Sequence, residues 1–163
     1  MKSAACEKPT VRMRETTWVA RDGKEFGYTL WGKPAADRDQ PPFAVIAIHG
    51  LSGAASDFWP VGEFIEKPGE SGPAVYAPEL RGQGNDPAEG DRGDIRSPRR
   101  WIEDAADFTG LVRARHPGVP VFWIGESLGS LIALHTAAGY PEIGPDGLIL
   151  LAPIGEFRDR LPT

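Results

Sequence analysis

The chain has 163 residues, 40% hydrophobic and 25% charged, which is enough for one globular domain with a sizeable core. A net charge of −5, with no lysine or arginine cluster along any predicted face, argues against a nucleic acid or other polyanion as partner. One cysteine excludes an internal disulfide. With no apolar stretch before Cys6 to make a leader, and no run near the ~18 apolar residues of a membrane-spanning helix, the expectation is a cytoplasmic protein without a transmembrane segment.

Residues 1–15 read as a tail or the start of a first strand, and residues 16–163 as the domain. Thr17-Trp18-Val19-Ala20 and Phe26-Gly27-Tyr28-Thr29-Leu30-Trp31 flank Arg21-Asp22-Gly23-Lys24, where Asp-Gly favours a tight reversal, so an antiparallel hairpin opens the sheet. Residues 32–42, with Pro34, Pro41 and Pro42, form a surface connection. The strand they feed, residues 43–48, is apolar without alternation, as a strand covered on both faces should be. A small-residue loop over 50–56, a short helix over 57–65 and a strand over 73–78 follow.

Arg81-Gly82-Gln83-Gly84-Asn85-Asp86 is a polar glycine loop in which Asp86 reads as a loop-stabilising residue. Pro87 stands where a dinucleotide fingerprint needs its third glycine, and no cofactor or metal is expected. A helix is predicted over residues 97–116, with Ser97 as N-cap, Pro98 in the first turn, and Trp101, Ile102, Ala105, Phe108, Leu111 and Val112 on one face. Its acids crowd the first half and its arginines the end, an order that suits the helix dipole and gives Glu103, Asp104 and Asp107 a structural role. A strand over 119–124, a helix ending near 139–141 and a strand over 147–152 complete an alternation that implies an α/β fold with a largely parallel sheet.

Gly125-Glu126-Ser127-Leu128-Gly129 joins that penultimate strand to its helix, the context a nucleophile elbow requires. The turn is so tight that Ser127 is expected in a strained backbone conformation, with small residues two before and two after it, a demand Gly125 and Gly129 meet. Ser127 is the candidate nucleophile, and it needs a base. Only three histidines are available. His135 lies on the same helix ~12 Å along the axis at ~1.5 Å per residue, out of reach of the Ser127 hydroxyl. His116 reads as an exposed side chain capping the preceding helix, and His49, ahead of Gly50, as architectural. Leu51, Phe58 and Trp59 are candidate walls for an acyl group, although aromatic residues there are more often core.

From about Trp18 to Ile154 the chain resembles the N-terminal half of an alpha/beta-hydrolase, nearest the monoacylglycerol lipase, lysophospholipase and serine aminopeptidase-like group. The motifs that carry the resemblance are the Asp22-Gly23 hairpin, His49-Gly50, Arg81-Gly82-Gln83-Gly84 and Gly125-Glu126-Ser127-Leu128-Gly129. It implies a serine hydrolase acting on small-molecule carboxylic esters, among them lipid monoesters, through an acyl-enzyme on Ser127. It further implies an oxyanion hole from the backbone N–H groups of Leu51 and Leu128, with His49, Gly50, Gly125 and Gly129 as supports. The family's acid loop, final histidine loop and last two strands would follow residue 163, so residues 16–163 are expected to form an incomplete domain, weak or inactive alone. Glu156 and Asp159 read as solvated charges. The strand over 147–152 would then be an apolar sheet edge open to self-association or to a complementing chain. The alternative function is a non-catalytic binding module that keeps the hydrolase fold.

Overall fold

The computed structural model describes residues 12–13, 16–32, 40–65, 72–85, 92–93 and 97–153; Cys6, Asp86, Pro87, Glu156 and Asp159 lie outside them. The strands are β1 (Arg12–Met13), β2 (Thr17–Val19), β3 (Glu25–Trp31), β4 (Ala44–Ile48), β5 (Ala74–Pro78), β6 (Val121–Glu126) and β7 (Gly147–Leu151). The helices are α1 (Trp59–Ile65), which continues a 3₁₀ turn over Ala55–Phe58, α2 (Pro98–Arg115) and α3 (Leu128–Gly139).

Among the described residues the strands form one sheet in the order β1-β2-β3-β5-β4-β6-β7. The first three and β5 pair antiparallel, and β5, β4, β6 and β7 run parallel. From β4 the chain crosses to β5 on one side, then returns to β6 on the other, so the direction of winding reverses between β4 and β6. In open α/β sheets ligands bind at such a reversal, beyond the carboxyl ends of the strands. The register Ile48↔Gly125 and Glu126↔Leu151 brings the ends of β4, β6 and β7 to the same rim.

Strand β4 is buried at every position because both of its faces are covered. Ile46 and Ile48 face a cluster with Trp18, Phe26, Tyr76, Phe108, Val112 and Ile132, while Val45 and Ala47 face Phe58 and Val75. Trp18 stacks on Phe26 and meets Phe108 edge-on, each at 5.2 Å between ring centres, which fastens the hairpin to α2. On the opposite face Gly62 lets α1 lie on Trp31, whose indole occupies the space a Cβ would need.

Helix α2 departs from its sequence reading in two ways. Ser97 holds the extended N-cap backbone, but its side chain makes no capping hydrogen bond. None of the acids is in the first turn; Asp104 instead takes two hydrogen bonds from Arg81, each 2.9 Å, and Asp107 pairs with Arg21 at 2.6 Å. Arg81 also reaches Asp22 at 3.0 Å and lies over the Phe26 ring. These acids tie the helix to the hairpin and to the loop after β5, a role that dipole reasoning did not supply. Arg113, in the last turn, donates to the Ile143 and Gly144 carbonyls.

His116 is buried, not exposed as its sequence neighbours suggest. It does cap α2, but its ring lies between the Gln40 Oε1 atom at 2.7 Å and the Tyr76 hydroxyl at 2.7 Å. Gln40 Oε1 can only accept, so Nδ1 carries a proton, and in the neutral ring Nε2 accepts from the tyrosine hydroxyl. Burial first, and then Arg115, hold this imidazole below its ordinary value of 6.5. The unfolded chain therefore takes up the proton before the folded one does. Stability is expected to be flat above about pH 6.5 and to fall as the pH drops below it, and denaturant midpoints between about pH 7 and pH 5 should lose this slope in His116→Gln.

Candidate active site

Ser127 is the single residue between the last residue of β6 and the first of α3, and it has φ 50° and ψ −113°. Such a conformation in a non-glycine residue costs ~1–3 kcal/mol and persists only where the surroundings determine it. Here the Ser127 N–H donates to Leu151 O at 2.9 Å, and Ser127 O accepts from the Ser130 N–H at 3.0 Å. The Ser130 hydroxyl ties the same corner to Gly125 O at 2.7 Å. A Cβ on Gly125 would lie 2.6 Å from Gly129 O; one on Gly129 would enter the Ile48 carbonyl and approach His49 O to 2.8 Å. A Cβ on Gly50 would meet the Glu126 carboxylate and come within 3.1 Å of the Ser127 Cβ. The three glycines are thus where two chain segments touch, and the loop after β4 lies directly against the serine. The Ser127 hydroxyl has no hydrogen-bond partner among the described residues.

That loop begins with a turn over residues 50–53, closed by Gly53 N–H to Gly50 O at 3.1 Å. Neither the Leu51 N–H nor the Leu128 N–H has a partner among the described residues, and the Leu128 N–H belongs to the first turn of α3, where the helix dipole is positive. His49 is buried beside this turn. Its Nδ1–H donates to Gly50 O at 2.9 Å and its Nε2 accepts the Leu80 N–H at 3.1 Å, so both nitrogens are committed. His116 is sealed against Tyr76 and Gln40, and His135 is exposed on α3. None of the three histidines meets Ser127.

Of the three candidate acyl walls, Phe58 belongs to the core with Val45 and Val75, whereas Leu51 and Trp59 are 62% and 54% exposed. No described helix is long and apolar enough to cross a membrane.

Residues 39–163 match the family described as serine aminopeptidase, S33. The chain belongs to that family of alpha/beta hydrolases. It is similar to a monoacylglycerol lipase of Mycolicibacterium smegmatis, 28% identical over 78% of this chain and 42% of the lipase. It is also similar to phospholipase YtpA of Bacillus subtilis, 31% identical over 71% of this chain and 42% of that protein. Among solved structures, a thermostable carboxyl esterase from Bacillus coagulans superimposes with a TM-score of 0.63 at 26% identity, covering 84% of this chain and 43% of the esterase. The chain spans less than half the length of these relatives.

In this S33 chain the segment after β5 does more than its glycines announce. Glu79 is buried; its carboxylate accepts the Ala55 N–H at 3.1 Å and the Asn85 amide at 3.2 Å, and lies 3.6 Å from His49 Nε2. Burial alone would raise this carboxyl, but the hydrogen bonds it accepts from the Ala55 N–H and the Asn85 amide hold it below the usual carboxylate value. Gln83 Oε1 accepts the Ser52 N–H at 2.9 Å. Both residues escaped the sequence reading, in which residues 81–86 were weighed as a phosphate loop. The usable signal was an acid at the end of an all-apolar strand, a place where a carboxylate must find donors. Between the two loops lies a cleft of about 640 Å³ lined by Leu51, Ser52, Gln83, Asn85 and Arg92 among others.

Proposed function

We propose that this chain carries the nucleophile and oxyanion hole of a serine hydrolase for carboxylic esters, lipid monoesters included. In the reading, Ser127 Oγ attacks the ester carbonyl, a base takes its proton, and the Leu51 and Leu128 N–H groups receive the tetrahedral oxyanion. The alcohol leaves with a proton, and water then cleaves the Ser127 acyl-enzyme. Two preorganised donors of this kind matter greatly, since losing one costs ~10²–10³ in rate in a comparable serine hydrolase. The observation that carries the proposal is the conformation of Ser127, held at φ 50° between strand and helix with its hydroxyl uncommitted among the described residues. The lipase, phospholipase and esterase relatives support the substrate class.

That none of the three histidines meets Ser127, two being bonded elsewhere and His135 lying exposed on α3, favours a second element: the base is contributed by residues other than those described, on this chain or on a complementing one. A serine lacking its base keeps only the oxyanion-hole and binding contributions, orders of magnitude down. A fluorophosphonate probe tests the proposal, because Ser127 Oγ would form a bond to phosphorus as fluoride leaves. Labelling of the 163-residue chain is expected to be slow, to quicken with added imidazole, which accepts the proton, and to vanish in Ser127→Ala. Labelling that survives Ser127→Ala, or a folded sample inert even with imidazole, would sink it.

A further inference from the structure

We propose that Gln83 is a positioning residue for the oxyanion hole, acting by locking the Leu51-Ser52 peptide plane; the inference rests on the function proposed above. The turn over residues 50–53 closes with an i to i+3 hydrogen bond and has Ser52, its third residue, at φ 61°, while Leu51 keeps negative φ. This combination defines a type II turn, whose third position ordinarily requires glycine. A serine there prefers the type I form, reached by flipping the central peptide so that the Ser52 N–H and the Leu51 carbonyl exchange sides. The flip must be opposed from outside the turn, and the Gln83 side chain is the group in place to oppose it. Its Oε1 accepts the Ser52 N–H, the very donor the flip would carry away, and the side chain is itself buried.

Two further bonds hold the same loop to the segment after β5, so that Gln83 acts from a fixed base. The Leu80 N–H donates to His49 just before the turn, and Glu79 accepts the Ala55 N–H just after it. Both ends of the turn are therefore anchored, and among the described residues the Gln83 bond is the one that holds the orientation of the peptide between them. Leu51 lies at that junction, its N–H in the plane before and its carbonyl in the plane that flips. The flip, about the Leu51 ψ and the Ser52 φ, turns the Leu51 carbonyl dipole through the loop beside Ser127, next to the N–H proposed as oxyanion donor.

The test compares the 163-residue chain with Gln83→Met, which keeps the shape and loses the oxygen, and Gln83→Glu, which keeps an acceptor at the same reach. Ser52 is exposed, so its amide protection reports the Gln83 bond directly, and hydrogen exchange there should quicken ~10-fold in Gln83→Met, as expected for loss of one net hydrogen bond. Imidazole-assisted fluorophosphonate labelling of Ser127 should slow ~10-fold, less than for outright loss of a donor, and Gln83→Glu should restore both readouts. Unchanged Ser52 exchange in a folded Gln83→Met protein overturns the lock. Faster exchange with unaltered labelling overturns its connection to the oxyanion hole. If wild-type Ser127 never labels, the function proposed above fails and the positioning role falls with it, while the exchange comparison still decides whether the lock exists.

Discussion

Gly129→Ala is expected to lose about 3 kcal/mol of stability, at the upper end of what overpacking costs. The added methyl would occupy the space of the Ile48 carbonyl and crowd that of His49. Those atoms belong to the last residue of β4 and the one after it, and β4 is paired on one side with β5 and on the other with β6, so the strand cannot recede without breaking a ladder. Nor can α3 withdraw, because Ile132 and Ala133 of the same helix are packed in the core. The matched control is Gly110→Ala in the interior of α2, where a Cβ meets nothing within 4 Å. There the same substitution should raise stability by about 1 kcal/mol, through helix propensity and a less disordered unfolded chain. Opposite movements of the urea midpoint would bear out the steric account; a Gly129→Ala protein as stable as wild type would refute it.

Arg81→Leu is expected to cost a further ~3 kcal/mol at neutral pH, because it strands a buried carboxylate. Asp104 takes both of its side-chain hydrogen bonds from Arg81, and burial pushes its carboxyl above the ordinary value even against the pull of that guanidinium. Without Arg81 the burial is uncompensated. A carboxyl whose folded value is raised holds its proton in the folded state at a pH where the unfolded chain has lost it, so the destabilisation grows as the pH rises and shrinks on acidification. The variant's deficit should thus narrow towards pH 5, and Arg81→Leu combined with Asp104→Asn should recover part of it. Equal deficits at both pH values, or no recovery in the double variant, would show that Arg81 acts through its packing on Phe26 instead.

Features governed by local chemistry were legible in the sequence. The Asp22-Gly23 reversal gave the β2–β3 hairpin, the unalternating run over 43–48 gave the doubly covered β4, and the two glycines about Ser127 gave a strand-turn-helix corner with the strained φ that it demands. Features that depend on residues remote in the chain were not. His116 looks exposed beside Arg115 and Pro117, and only the arrival of Gln40 and Tyr76 from other segments buries it. Asp104 looks like a surface acid on a helical face until Arg81 crosses to meet it. Glu79 and Gln83 were hidden for another reason: what each reaches across to in the loop after β4 is a backbone N–H group, which leaves no trace in side-chain patterns.

The corner at Ser127 is fastened to the far end of β7. The Leu151 carbonyl that receives the Ser127 N–H is the last of that strand, and the Ser130 hydroxyl lies 3.3 Å from the same oxygen. Among the described residues β7 closes the sheet, with Ile149 and Leu151 half exposed along it. One rim of this strand therefore grips the serine while the other is open, and whatever steadies the open rim also steadies the grip. Fraying of a terminal strand, ordinarily a harmless loosening at the margin of a protein, would here be felt as slack in a residue whose backbone its surroundings hold under tension.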